Sequence, residues 1–372
     1  MTKFTINRKG KEMTDLGLCR WGILSTAAIA RKNWRAIAQS KSGTVVAVAS
    51  RRIEAARCFV RECQAHTAQR QVPDSMDGYE ALLAREDIDA VYIPLPTGLR
   101  KEWIIAAAEK GKHVLAEKPA ALSADDLEDI LSVCRRNNVQ FMDGVMFMHS
   151  ARLPLLRQCL DDGQSIGAMR RIACHFSFLG DDSFSQKNIR VDSQLEPFGC
   201  LGDLGWYCIC FLLWANHWQI PTQLTGRCLT SMRGERSETA VPAEFSAELL
   251  FPGGSTGSFY CSFIAGHQQW AHLSGTQGNV FMPDFVLPYY GCEVAFDIEK
   301  PTFLVNGCDF HMQEHTRRVI VDEYASGHAP AQEINMFETF NKIVLTREVD
   351  PLWGNISLAT QRVLDQLFAV SK

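Results

Sequence analysis

Thr44 to Ala49 reads TVVAVA, a run without a charge and mostly β-branched. A run of that kind is a strand buried on both faces, which only a sheet covered by helices on each side can accommodate. It is one of a series. From residue 18 to about 143, strand-like and helix-like segments alternate. Leu18 to Leu24 is a short apolar strand, and Ala27 to Gln39 has helical spacing at Ile29, Trp34, Ile37 and Ala38. Ile53 to Cys63 and Tyr79 to Arg85 read as helices, and Ala90 to Pro94 as a strand. Glu102 to Lys110 is helical and stops at Gly111, a fitting C-cap. His113 to Ala116 is a strand, Ser123 to Asn137 a helix, and Gln140 to Met142 a last strand. Repeated β-α-β of this kind builds a doubly wound α/β domain around a parallel sheet.

Open α/β sheets bind ligands at the carboxyl ends of their strands. The turn after the first strand is Ser25-Thr26-Ala27-Ala28-Ile29-Ala30, where a dinucleotide fold wants G-x-G-x-x-G. Small residues replace all three glycines, yet amides at a helix start still hold a pyrophosphate, and Ser25 and Thr26 add hydroxyl donors. The strand TVVAVA ends in Ser50-Arg51-Arg52, with no acid until Glu54. NAD enzymes place an acid there for the adenosine 2′-hydroxyl, whereas two guanidinium forks suit a 2′-phosphate. NADP is therefore the expected cofactor, with NAD as the alternative. Glu117-Lys118-Pro119 follows another buried strand, and Pro119 biases Lys118 towards extended backbone, so its ammonium is aimed. Ser123 is positioned to cap the helix that follows, with Asp125 and Asp126 at its positive end.

At 372 residues the chain exceeds one ordinary core, so two domains are expected. Beyond about residue 144 the texture changes to alternating segments: Arg170 to Gly180, Ala243 to Phe251, Gly257 to Ala265 and His272 to Met282. Helical pieces at Gly205 to Trp214, Glu333 to Thr346 and Ile356 to Val370 interrupt this mostly antiparallel sheet. A net charge of −4 argues against nucleic acid and anionic membranes, and no apolar run approaches the roughly 20 residues of a membrane span. Met1 to Asp15 is polar and lacks the apolar centre of a secretory signal, so 1–16 reads as a loose tail. The thirteen cysteines are scattered without metal-site spacing, and no metal is expected; reduced thiols in the cytoplasm account for them.

Two stretches carry a resemblance. GKHVLAEKPAAL and LEPFGCLGDLGWYCI, whose Lys118 and Asp203 lie 85 positions apart, resemble the two signatures of the glucose–fructose oxidoreductase, inositol dehydrogenase and MocA family. WGILSTAAIA, VASR and YIPLPTGLRKEW are similar to its opening turn, second strand and cofactor-crossing segment. The resemblance implies a Rossmann domain over 17–143 and an α+β domain over 144–372, with a large open sheet that makes a homodimer or homotetramer. It implies cofactor contacts from Ser25, Thr26, Ala27, Ile29, Ser50, Arg51, Arg52, Pro94, Leu95, Pro96, Thr97, Arg100, Glu117, Lys118 and Arg190. It also implies a cis bond between Lys118 and Pro119, and substrate contacts from Lys118, Asp203 and Tyr207. His149, after the last strand of the first domain, is a second-rank candidate for a substrate contact; for it and for Arg190 an ordinary structural hydrogen bond is the equal alternative. The chain departs from the family pattern at Thr97, usually asparagine, at Arg100, usually histidine, and at Tyr207, commonly histidine. Tyrosine in that place is similar to the dimeric dihydrodiol dehydrogenase and sugar dehydrogenase branch.

Lys118, Asp203 and Tyr207 are thereby the expected catalytic set. A phenol titrates near pH 10 unperturbed and needs a neighbouring cation to act at neutral pH, which Lys118 supplies; Lys118 moving the proton itself is the alternative. The expected activity is hydride transfer between a nicotinamide and a carbinol or carbonyl carbon of a sugar, polyol or cyclic diol. Two other activities compete: a retained cofactor recycled in sugar–sugar oxidoreduction or redox-assisted glycoside cleavage, and a non-catalytic NADP-sensing regulator.

Overall fold

The computed structural model describes residues 17–371, so the expected tail at 1–16 lies outside the described residues. The chain forms two compact units. The first comprises the described residues through His149 together with Ser326–Leu358; the second comprises Ser150–Ala325 and the carboxyl end from Ala359.

The first unit is built on β1 (Cys19–Leu24), α1 (Ala28–Gln39), β2 (Gly43–Ser50), α2 (Ile53–His66), β3 (Asp74–Asp77) and α3 (Tyr79–Leu83), followed by β4 (Ala90–Ile93), α4 (Thr97–Glu109), β5 (His113–Ala116), α5 (Ala124–Arg136) and β6 (Phe141–Asp143). The strands form one six-stranded sheet in the order β3-β2-β1-β4-β5-β6, parallel at every pairing. The chain winds outward from β1 in one direction and then from β4 in the other, which puts the switch point of the doubly wound sheet between them. β4 is buried throughout and β2 and β5 nearly so, as their uncharged runs required. β3 reads DSMD and carries no apolar signal; it is an edge strand held by its pairing to β2 from Ala47 to Ser50. α4 starts at Thr97 instead of Glu102, directly after Pro96, so the turn-like PTG opens the helix. Ser123 caps α5 as expected, its hydroxyl oxygen accepting from the Asp126 amide at 3.1 Å.

The second unit opens with α6 (Arg152–Asp161), β7 (Met169–Leu179), α7 (Asp182–Lys187) and α8 (Trp206–Ala215). It continues through β8 (Gln223–Met232), β9 (Val241–Leu250), β10 (Thr256–Ser262), β11 (Ile264–Gly275), β12 (Asn279–Met282), β13 (Ala295–Glu299), β14 (Thr302–Asn306), β15 (Asp309–Gln313) and β16 (Thr316–Ile320). Eight of these strands form a sheet in the order β16-β13-β12-β11-β7-β10-β9-β8, antiparallel except where β7 meets β10. The stretch read as one strand from His272 to Met282 is two, because Gly275 and Gly278 turn the chain between β11 and β12. Every residue of α8 is buried, so it is a core helix and not an amphipathic one. No helix among the described residues is long and apolar enough to cross a membrane.

The chain then returns to the first unit. α9 (Gln332–Thr346) packs on β1: the Trp21 ring meets Phe337 edge-on at 5.2 Å and Phe340 at 5.0 Å. Trp21 Nε1 donates to Asn341 Oδ1 at 2.8 Å, which satisfies an indole that is otherwise sealed in the core. α10 (Pro351–Val370) begins five residues before the expected Ile356, with Pro351 at its first position, where a missing amide costs nothing.

Candidate active site

In the first unit, β1, β2, β4 and β5 end along one edge of the parallel sheet, and the expected cofactor residues follow those ends. Ser25 to Ala27 follow β1. Ser50 closes β2 with its side chain buried, and Arg51 and Arg52 stand exposed beyond it. Pro94 to Thr97 follow β4, and Glu117 to Pro119 follow β5. Ser25 has φ of 123°, a conformation that glycine adopts freely and serine only under strain of about 1–3 kcal/mol. The glycine-free turn therefore keeps the backbone of a glycine turn. Ser25 Oγ accepts from the Ala27 amide at 3.1 Å, and its own amide donates to the Ala49 carbonyl at 2.9 Å. α1 has no side-chain cap and no acid in its first turn, which leaves its positive end open to a phosphate. Ile29, in that turn, is an exposed apolar residue. Glu54, the first acid after β2, is paired with Arg57 at 2.6 Å. These residues fit a phosphorylated dinucleotide: a backbone cradle after β1 and two guanidinium groups after β2.

Lys118 leaves β5 half-buried, and the Lys118–Pro119 bond is cis, as the resemblance implied. Its neighbour Glu117 is not a free carboxylate. Glu117 Oε1 accepts from the Tyr92 hydroxyl at 2.7 Å, and a side chain at Gly144 would press on the Glu117 carboxylate at 3.2 Å. Burial, together with the Glu117 charge, pushes the Tyr92 phenol well above its ordinary range, so it stays a donor. Arg100, expected among the cofactor contacts, is instead 2% exposed. Its Nε and Nη2 donate to the Leu95 carbonyl at 3.0 and 2.6 Å, and its Nη1 donates to the Pro119 carbonyl. Its place on the buried face of α4 turns the guanidinium towards backbone oxygens rather than towards solvent.

In the second unit, the signature Leu195 to Ile209 runs through a π-helical turn, Leu201–Gly205, into α8. Such turns widen a helix and recur at functional sites. This one carries Asp203, and Tyr207 follows four residues on, in the first turn of α8. Asp203 Oδ2 pairs with Arg190 Nε at 2.8 Å. Asp203 raises the Arg190 guanidinium further above its already high range, and Glu196 and Tyr207 lie close enough to add to that effect. Arg190, expected among the cofactor contacts, therefore has an acidic protein partner in the signature itself. Tyr207 is 8% exposed and meets Phe176 of β7 edge-on at 5.6 Å. Gly199, the remaining glycine of the triplet, has φ of 50°, and a Cβ there would collide with the Pro242 carbonyl.

His149, expected to touch substrate, stacks on Trp353 at 4.5 Å with the rings 17° apart. The residue is half-buried, but its Nε2 is closed off and has no hydrogen-bond partner among the described residues. Burial lowers its pKa to about 3, so it is a neutral packing residue. The unfolded chain takes a proton near pH 6.5 that the folded one refuses until about pH 3, so this contribution to stability is complete above pH 6.5 and falls below it. Unfolding free energy is expected to drop by up to about 1.4 kcal/mol per pH unit from this residue as pH falls from 6.5. Urea unfolding at pH 7 and pH 5 checks this: His149→Phe is expected to lose less stability than the wild type, and equal losses would remove His149 as the cause.

Neither spacing nor motif marks Arg100, Tyr92 or Glu196 for these roles. The chain is similar to known proteins over most of its length. Residues 19–145 match the family model described as "Oxidoreductase family, NAD-binding Rossmann fold". Residues 155–281 match the "GFO/IDH/MocA C-terminal domain". D-xylose 1-dehydrogenase (NADP(+)) 2 of Haloferax volcanii is 31% identical over 358 residues, covering 94% of this chain and 96% of that protein. Trans-1,2-dihydrobenzene-1,2-diol dehydrogenase of Mus musculus is 30% identical over 261 residues, 70% of this chain and 73% of that one. The crystal structure of a 3-ketoreductase from Actinomadura kijaniata, in complex with NADP and TDP-benzene, superposes with a TM-score of 0.79 at 26% identity, covering 95% of this chain and 98% of that one. With both family models matched in order and a relative aligned over nearly its whole length, this chain belongs to the GFO/IDH/MocA family of oxidoreductases.

Proposed function

We propose that the protein is an NADP-dependent oxidoreductase that moves a hydride between the nicotinamide and a carbinol or carbonyl carbon of a sugar, polyol or cyclic diol. The observation that carries this reading is Lys118 held half-buried at the carboxyl end of β5, on the sheet edge that also presents Ser25 to Ala27 and Arg51–Arg52. The dehydrogenases of Haloferax and mouse, and the NADP complex of the Actinomadura ketoreductase, support the cofactor and the substrate class. NADP, when bound, supplies the hydride acceptor or donor. Arg51 and Arg52 bind its 2′-phosphate, and the open end of α1 takes the pyrophosphate. Tyr207 takes the substrate hydroxyl proton in oxidation and returns it in reduction, at its phenolic oxygen. Lys118 holds the positive charge that favours the phenolate, and Asp203, oriented by Arg190, binds a substrate hydroxyl.

The outward face of the second unit's sheet carries His175 between Tyr260 at 4.8 Å and Trp270 at 5.6 Å, an aromatic patch suited to a homo-oligomer contact. Light scattering that shows only monomer would remove that assignment. The free thiols recorded in the structure suit a reducing compartment, and the cytoplasm is the proposed location.

The test follows reduced nicotinamide with NADP or NAD over aldoses, polyols and cyclic diols. Turnover on one of these classes, with kcat/KM for NADP at least about tenfold above NAD, is expected; replacing Arg51 and Arg52 with alanine is expected to abolish that preference, since each charge-assisted fork contributes about 1.5–3 kcal/mol. Cofactor binding without turnover over the whole panel would point to a regulator. Nicotinamide that persists through purification and turns over only with a second sugar would point to a recycled cofactor.

A further inference from the structure

The proton-handling scheme leaves Arg100 without a task, although its side chain is among the largest fully buried ones in the protein. Burying a guanidinium is costly unless its donors are met, and here they are met by backbone oxygens of two different loops. Nε and Nη2 hold the Leu95 carbonyl, in the loop that leaves β4, at 3.0 and 2.6 Å. Nη1 holds the Pro119 carbonyl, in the loop that leaves β5. On the other side of Lys118, Glu117 is held by the Tyr92 hydroxyl at 2.7 Å. Tyr92 lies within electrostatic reach of both the Arg100 and the Glu117 charges, so the three form one buried polar group under the loop. Lys118 is thus flanked by two residues that are each fixed from below: Glu117 through its carboxylate and Pro119 through its carbonyl.

We propose that Arg100 is a positioning residue for Lys118: its planar fork locks the loop after β5 to the loop after β4 and so sets where the ammonium points. This rests on the reading of Lys118 as a catalytic residue. The geometry needs a fork and not merely a charge, because two carbonyls in separate loops must be met by one rigid plane of donors. Lysine, a point charge on a flexible stem, cannot hold both in one geometry. A displacement of about 1 Å in a reacting group costs on the order of 100-fold in rate.

The experiment is a double-mutant cycle on turnover: Arg100→Lys, Lys118→Met and the two combined, with KM and the NADP dissociation constant measured for each. Arg100→Lys is expected to lower kcat on the order of 100-fold while KM and NADP binding stay within about threefold. In the Lys118→Met background, Arg100→Lys is expected to have no further effect, because the group it positions is gone. Arg100→Gln, which keeps donors without the charge, reads the same cycle if the lysine variant does not fold. Losses that multiply in the combined variant would make Arg100 a general structural residue and overturn the proposal. A kcat within about twofold of wild type for Arg100→Lys would overturn it too. Normal turnover by Lys118→Met alone would instead bring down the underlying reading of Lys118, and the proposal with it.

Discussion

Lys118→Met is expected to lower kcat by about 10²–10⁴-fold, the contribution of a positioned acid–base group, while NADP binding changes by no more than about threefold. The size follows from what the side chain is. Lys118 stands at the end of a buried strand, on the edge where open α/β sheets place ligands, with both neighbours fixed: Glu117 by Tyr92 and Pro119 by Arg100. Methionine keeps the length and the apolar stem but removes the ammonium, so the loss reports charge and proton handling and not packing. Tyr207→Phe assigns the proton. If the phenol carries it, that variant loses about as much as Lys118→Met, and the two losses do not multiply, because groups that act as a unit are not additive. Steady-state kinetics with a parallel cofactor titration checks this, and near-normal turnover by Lys118→Met would remove the mechanism.

Asp284→Ala is expected to cost about 3–5 kcal/mol of stability in the second unit. Arg152 Nη1 pairs with Asp284 Oδ1 at 2.6 Å, with side-chain exposures of 1% and 4%. Nη2 takes the Asp284 carbonyl at 3.0 Å, and the other carboxylate oxygen accepts from the Tyr289 amide at 2.9 Å. Removing the carboxylate strands a guanidinium in the core and frees a backbone amide at once. Removing both partners is a different matter: Arg152→Met with Asp284→Leu leaves no buried charge and is expected to recover most of the loss. Urea midpoints of the wild type and the two variants decide this; Asp284→Ala within about 1 kcal/mol of wild type would show that water reaches the pair.

Much of the first unit could be read from its residues because β2, β4 and β5 are buried on both faces, and that burial demands uncharged β-branched runs. β3 could not, because an edge strand with three polar residues among its four is defined by its pairing to β2 and by nothing in its own composition. β8 is similar: its alternation is exposed and half-exposed, with no buried face to mark it. Among the site residues, Lys118, Asp203 and Tyr207 stand out through motif resemblance, but their surroundings are tertiary. The Arg190–Asp203 pair spans a loop with no local period. Arg100 carries the same side chain whether it meets a phosphate or two carbonyls; only the burial of its face of α4 decides between them. Ser25 is the sharpest case, since nothing in a serine at the first glycine position announces the φ of 123° that its backbone adopts.

On the proposed reading, a hydride passes between NADP and a carbinol carbon under the control of Lys118 and Tyr207. NADPH carrying deuterium at the transferring position of the nicotinamide, incubated with the carbonyl form of the best substrate, tests it most directly. Mass spectrometry of the product is expected to find one deuterium on the new carbinol carbon with the wild-type protein, and its formation slowed by about 10²–10⁴-fold with Lys118→Met. Product that forms without deuterium on that carbon, or at the same rate with Lys118→Met, would contradict the account.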